Sequence, residues 1–98
     1  MARFDVYRLR NDEIVLDCQS DHLAHLSSRF VVPLRPGRDI SLGVRRLNPR
    51  FVVDDMPLIM ATQFARAIER RSIRTTIASL SEEQDAIIDA LDVLLTGV

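Results

Sequence analysis

The chain has 98 residues, of which 47% are hydrophobic and 28% are charged. We expect one domain spanning residues 1–98, because this composition is too apolar for a disordered chain and too charged for a membrane protein. The net charge of −1 excludes an overall electrostatic attraction to nucleic acid or anionic lipid. The single cysteine, Cys18, excludes a disulfide framework. Residues 1–4 are typical of a strand rather than a secretion signal, which predicts a cytoplasmic protein that does not associate with membranes.

The basic residues are unevenly distributed along the chain. All 13 are arginines, which form bidentate contacts with carboxylates. Residues 66–74 contain four arginines and a single acidic residue, Glu69, whereas residues 79–98 contain five acidic residues and no basic one. Two interpretations stay open: the basic segment pairs with the protein's own acidic end, or it binds an acidic partner.

The first three quarters of the chain predict strands. Residues 4–8 and 14–18 alternate in polarity around the polar turn 10–13, which indicates a hairpin. Residues 30–34 predict a strand in which Pro33 lies at an edge or a bulge, because proline cannot donate to a ladder. A second hairpin is predicted on both sides of Asp54 and Asp55. Residues 64–71 have helical propensity, but their arginines do not keep to one helical face.

The last predicted element is an amphipathic helix. The residues from Ser81 to Gln84 match a capping box, and Gly97 is a typical C-terminal stop. The predicted apolar stripe consists of Ile87, Ile88, Leu91, Leu94, Leu95 and Val98. Strands followed by one helix predict a mainly β fold, a small antiparallel sheet or barrel with the helix packed across it.

Candidate chemical groups are few. Cys18, His22 and His25 lie close together, but a structural zinc site needs four ligands and Cys18 is expected to point into the core. The three glycines form no phosphate-binding loop. The acidic pairs at 54–55 and 82–83 suit a turn and a helix start. We therefore predict no catalytic residue, no metal and no cofactor, and a protein whose activity is binding.

Three stretches of the first half resemble a known family. They are Phe4-Asp5-Val6-Tyr7, Asp17-Cys18-Gln19-Ser20-Asp21 and Arg29-Phe30-Val31-Val32-Pro33-Leu34. They are similar to the F-x-V-Y, D-V-Q-S-D and R-x-V-x-P-L stretches of the CcdB toxins, in the same order. Ile59-Met60-Ala61-Thr62, Leu80-Ser81 and the final Gly97-Val98 extend the resemblance over nearly the whole chain. The resemblance places strand and loop, rather than helix, in residues 64–78.

The resemblance implies a small SH3-like barrel with a C-terminal helix that forms a homodimer. It implies the toxin of a type II toxin–antitoxin module that binds the A subunit of DNA gyrase and has no small-molecule substrate. A cognate CcdA-like antitoxin would neutralise it, and operator DNA would be bound only through the toxin–antitoxin complex.

Three sets of site residues follow. The resemblance assigns gyrase binding to His22, Leu23, Asp92, Leu95, Thr96, Gly97 and Val98. Antitoxin binding is predicted at an arginine-rich surface that consists of Arg8, Arg10, Arg66, Arg70 and Arg71. The dimer interface is predicted at Met60, Leu94, Leu95 and Val98, since a second copy would cover the apolar end of the helix.

Departures from the family leave two alternatives. Thr96 stands where the family has an exposed tryptophan, Asp92 where it has an amide, and His22 where it has an aliphatic residue. One alternative is therefore a relative that has lost gyrase poisoning. The other is an endoribonuclease of the MazF/Kid type, with a cation supplied by Arg35, Arg38 or the arginines of 66–74, although no general base is evident.

Overall fold

Strands fill most of the chain, and a helix follows them, in the computed structural model, which describes residues 1–38 and 43–97. The strands are β1 (Asp5–Leu9), β2 (Ile14–Asp17), β3 (Ser28–Pro36), β4 (Arg50–Val53), β5 (Met56–Met60), β6 (Arg66–Glu69) and β7 (Ile73–Ser79). Helix α1 spans Gln84–Thr96. Among these described residues, no helix has the length and apolar character needed to cross a bilayer.

The strands form one curled antiparallel half-barrel in the order β4-β5-β3-β2-β1-β7, with β6 added to β3. The mainly β fold with a C-terminal helix is therefore confirmed. Strand β3 joins the two parts of the sheet, since its first half pairs with β6 and its last three residues pair with β5.

Pro33 lies within this long strand, and not at the edge or bulge that was predicted for it. It stands opposite Val15 of β2, at the point where the other neighbour of β3 changes from β6 to β5. Its carbonyl accepts a hydrogen bond of 2.9 Å from the Ala61 N–H. Since the N–H and C=O of a strand residue point to the same side, the donor that proline lacks would face the gap between β6 and β5, where no ladder bond is required.

Both predicted hairpins are confirmed. Val6 stands opposite Leu16 across the β1–β2 ladder, and Phe51 stands opposite Leu58 across the β4–β5 ladder. The second turn consists of Asp54 and Asp55, whose φ angles are 47° and 64°. Two successive positive φ angles are typical of the tight turn that matches the twist of a β-hairpin.

Residues 66–79 are strands, as the family resemblance implied. A single 3-10 turn, Arg70–Ser72, separates β6 from β7. In β6, Arg66 and Ile68 are partly buried whereas the residues between and after them are exposed. Pairing with β3 and this alternation prevail over the helical propensity of the segment.

The half-barrel has a core on each face. Val6, Leu16 and Val32 pack in the larger core, together with Ile87 and Ala90 of α1. The inner core consists of Tyr7, Leu9, Val15 and Val31, with Ile68 and Ile73 packed against it. Strand β1 is thus buried on both sides, because the sheet curls around one face and α1 covers the other.

The predicted capping box at the start of the helix is wrong. Residues Ser81–Glu83 form a 3-10 turn, and neither this turn nor α1 receives a side-chain cap. The predicted stop is confirmed, since Gly97 has a φ of 76° and its N–H donates to the Val93 carbonyl at 3.0 Å. Midway along α1, Asp89 accepts two hydrogen bonds from Arg46, which connects the segment before β4 to the helix.

Candidate functional site

The last turn of α1 presents uncovered apolar surface. Ile87 and Ala90 are buried under the helix, but Leu94 is 37% exposed and Leu95 is 77% exposed. The predicted apolar stripe therefore continues past the part of the helix that the sheet covers. Exposed leucines on adjacent positions of one helical turn are typical of a protein-binding surface.

Polar residues lie beside these leucines. Asp92 and Thr96 are both exposed, and the Thr96 hydroxyl donates to the Asp92 carbonyl at 2.6 Å. Gly97 then ends the helix in the left-handed conformation. Val98, which was predicted in both the gyrase and dimer surfaces, lies outside the described residues.

The two other predicted gyrase residues lie on the β2–β3 connection. His22 and Leu23 belong to the 3-10 turn Asp21–Leu23, whose start is capped by the Ser20 hydroxyl. The Gln19 amide holds the turn by donating to the Leu23 carbonyl at 2.9 Å. Both predicted residues are exposed, and within the described chain no hydrogen bond links this turn to the end of α1.

The predicted dimer residues separate into two environments. Met60 is fully buried in the larger core, so its side chain is not on the surface of a protomer. Leu94 and Leu95 are on the surface, and they are the residues of this set that a second copy can reach.

The arginine-rich surface has its own internal ion pairs. Arg66 makes a bidentate contact with Glu13 at 2.6 and 3.2 Å, because β6 lies close to the β1–β2 turn. The other two pairs are Arg71–Glu69 and Arg74–Asp12. These carboxylates belong to the hairpin and to β6 and not to α1, so pairing of this segment with the acidic helix is not the arrangement found.

The remaining predicted antitoxin residues have no carboxylate partner among residues 1–38 and 43–97. Arg10 Nε donates to the Arg71 carbonyl at 2.7 Å, Arg70 Nη1 to the Ala24 carbonyl at 3.5 Å, and Arg8 Nη1 to the Asp12 carbonyl at 3.3 Å. Arg10 and Arg70 lie at the same end of the half-barrel. Arg8 is on the opposite face of β1 from Leu9, so the structure does not bring it to their surface.

The Cys18 region does not assemble a metal site. Cys18 is buried in the larger core, and this burial raises the pKa of its thiol to about 12. His22 and His25 are exposed on the following connection. Over the part of the chain that the structure describes, no three metal-binding side chains come together.

Within residues 1–38 and 43–97, Arg35 and the arginines of 66–74 that were proposed for ribonuclease chemistry have other contacts. The Arg35 guanidinium stacks over the Phe64 ring at 4.5 Å. In the 66–74 segment the neighbouring carboxylates are occupied by ion pairs.

The structure contains a buried polar network that the sequence did not predict. Asp17 and Arg29 are fully buried and form an ion pair of 2.7 Å. The Tyr7 hydroxyl donates to the same Asp17 oxygen, and the Gln19 N–H donates to the other at 2.9 Å. Burial first, and then the hydrogen bond to Asp17, raise the pKa of Tyr7. Asp17 and Arg29 occur in the family-like motifs, but only the sheet register brings them together.

A small curled sheet with an exposed apolar helix end and an arginine-rich surface has the features of a protein-binding domain. The sequence model of the family described as CcdB protein matches residues 3–97, and the chain therefore belongs to the CcdB family. It is a toxin of a toxin–antitoxin system. No curated protein matches the chain individually.

Proposed function

We propose that this protein inhibits DNA gyrase by binding its A subunit, with the end of α1 as the contact surface. It does so as a homodimer and without catalysis. A cognate CcdA-like antitoxin reverses the inhibition, and the toxin–antitoxin complex represses its own operon. The observation that carries the proposal is the uncovered pair Leu94 and Leu95 on a chain of the CcdB family.

The two leucines have different surroundings and we assign them different roles. Leu94 is the less exposed and continues the covered stripe of the helix. A second copy related by a two-fold axis would cover it, since an isologous interface uses the same patch twice. Leu95 is the most exposed large apolar residue of the helix, which makes it the residue that reaches the target.

Thr96 weakens this surface relative to other family members. A tryptophan there would bury about 150–250 Å² in a complex. Hot-spot aromatics contribute about 2 kcal/mol or more, so their loss weakens binding about thirtyfold. The Thr96 hydroxyl is also engaged with the Asp92 carbonyl. We therefore propose weak inhibition of gyrase from enteric bacteria and stronger inhibition of the gyrase of the source organism.

A supercoiling assay with both gyrases tests the proposal. Leu95→Ser should lower the inhibitory potency against the source enzyme at least about tenfold, because it removes the exposed apolar contact. The matched control is Val52→Ser, which changes an apolar residue that is 69% exposed on β4 and should leave the potency unchanged. Light scattering on each variant separates loss of target binding from loss of the dimer.

The double variant Thr96→Trp, Asp92→Asn completes the design. It should gain inhibition of the enteric enzyme, since it restores an aromatic side chain and removes a charge that is costly to desolvate. Strong inhibition of the enteric enzyme by the wild type, or full potency of Leu95→Ser against the source enzyme, would contradict the proposed contact surface. Absence of inhibition of either enzyme by the wild type would contradict the proposed activity.

A further inference from the structure

The turn that connects β2 to β3 is not fixed by packing of its own side chains. It spans Asp21–Leu23, and none of its three residues is buried. Leu23, at the end of the turn, is 45% exposed. A segment with few buried apolar contacts opens easily unless hydrogen bonds hold it. The conformation of this turn therefore depends on its hydrogen bonds to neighbouring groups.

The hydrogen bonds at the start of the turn are exposed to solvent. The His22 N–H donates to the Ser20 hydroxyl at 3.2 Å, and the Arg3 N–H donates to the Asp21 carboxylate at 2.9 Å. Water competes for exposed donors and acceptors, so bonds of this kind contribute less than bonds that are shielded from it. They restrain the turn only in part.

The side chain of Gln19 holds the turn from the interior. Gln19 is a buried residue, and its Oε1 accepts a hydrogen bond of 2.9 Å from the Phe30 N–H in β3. Its Nε2 donates to the Leu23 carbonyl, also at 2.9 Å. One amide group therefore joins β3 to the end of the turn. An uncharged amide is suited to this position because it offers an acceptor and a donor together.

The backbone of Gln19 is anchored as firmly as its side chain. Its N–H donates at 2.9 Å to Asp17, which is fully buried in the ion pair with Arg29. Gln19 is thus fixed at both ends, and its side-chain oxygen and nitrogen each have a partner. A buried amide with both groups satisfied favours one arrangement of the groups that it bonds, because any other leaves a polar atom unpaired.

We propose that Gln19 is a positioning residue for gyrase binding, which holds His22 and Leu23 in the orientation that the target contacts. The inference rests on the proposed function, because it adds the turn to the helix end as a second part of the same contact surface. A turn that already has its bound conformation loses less conformational entropy on association than a mobile one. Loss of the Gln19 amide should therefore weaken binding although Gln19 itself does not touch the target.

Isothermal titration calorimetry with the isolated gyrase A subunit of the source organism tests this. Gln19→Met keeps the length of the side chain and removes both amide hydrogen bonds, so the affinity should decrease about tenfold. Thr62→Val is the matched control, since the Thr62 hydroxyl is also buried and donates to a backbone carbonyl, that of Leu47, outside the β2–β3 connection. The control should bind as the wild type does. Urea unfolding of both variants separates a loss of stability from a loss of positioning.

A double-mutant cycle distinguishes positioning from a general structural role. Leu23→Ser should weaken binding about tenfold, and adding Gln19→Met to it should cause less than about threefold further loss, because the contact that Gln19 positions is already gone. Added to Leu95→Ser, Gln19→Met should keep its full effect, since Leu95 lies on α1. A residue that only supports the fold would lower the affinity equally in all three backgrounds.

The possible outcomes separate this inference from the proposed function. Wild-type affinity of Gln19→Met, an equal loss in Thr62→Val, or a full tenfold loss from Gln19→Met in the Leu23→Ser background would overturn the inference alone. If Gln19→Met does not fold, Gln19→Glu takes its place with the same expectations, since a carboxylate accepts from the Phe30 N–H but cannot donate to the Leu23 carbonyl. Failure of the wild type to bind the gyrase A subunit would overturn the proposed function and this inference with it.

Discussion

Asp17→Asn is expected to destabilise the protein more than any surface change. Asp17 is fully buried, and one of its oxygens accepts hydrogen bonds from Tyr7 and from Arg29, the latter at 2.8 Å. An asparagine has the same shape, but it removes the charge that compensates Arg29. Its amide group also offers one oxygen where the carboxylate offers two, so some of these donors lose their acceptor.

The magnitude follows from the burial of this ion pair. Removing one partner of a buried pair costs about 3–5 kcal/mol, because the remaining charge stays buried without compensation. A globular domain of this size has a total free energy of unfolding of about 5–15 kcal/mol. Asp17→Asn should therefore remove about a fifth or more of the free energy of unfolding and lower the urea midpoint without changing the slope.

Two further variants show where the effect originates. Tyr7→Phe removes one hydrogen bond and should cost about 1–2 kcal/mol. The double variant Asp17→Leu, Arg29→Met removes both charges, and it should be more stable than Asp17→Asn, since apolar replacement of a whole buried pair is often neutral or favourable. Arg29 Nη1 has no hydrogen-bond partner in the described residues, which increases this expected gain. A loss below about 1 kcal/mol for Asp17→Asn, or a double variant less stable than it, would refute the reasoning.

Two other predictions concern pH and association. Cys18 and Tyr7 hold their protons more tightly when folded, with the pKa of Cys18 raised to about 12 and that of Tyr7 also raised. The unfolded chain therefore loses these protons first, so urea midpoints should decrease from about pH 9 through pH 12 relative to their value at neutral pH, and Cys18→Ala should remove the first part of that decrease. Leu94→Ser should convert a dimer to a monomer in light scattering at micromolar concentration; a wild-type protein that is already monomeric would contradict the proposed interface.

The parts of the fold that depend on local patterns were predictable from the sequence. Alternation of residues 4–8 with 14–18 identified the first hairpin, and Gly97 identified the end of the helix, because each signal acts within a few residues. The predicted start of the helix at Ser81 was wrong, although serine is a residue type that favours the N-cap position. The chain leaves β7 through a 3-10 turn, and the Ser81 N–H is bonded to the Ser79 hydroxyl at 3.3 Å.

The rest depended on contacts between residues that are distant in sequence. Arg29 and Asp17 are charged residue types that sequence reasoning assigns to the surface, and only pairing of β2 with β3 explains their burial. Leu9 of β1 and Ile68 of β6 pack in the same inner core, although most of the chain separates the two strands. The helix end was predictable because its residues are consecutive in the sequence, whereas neither the buried network nor the inner core has a local signal.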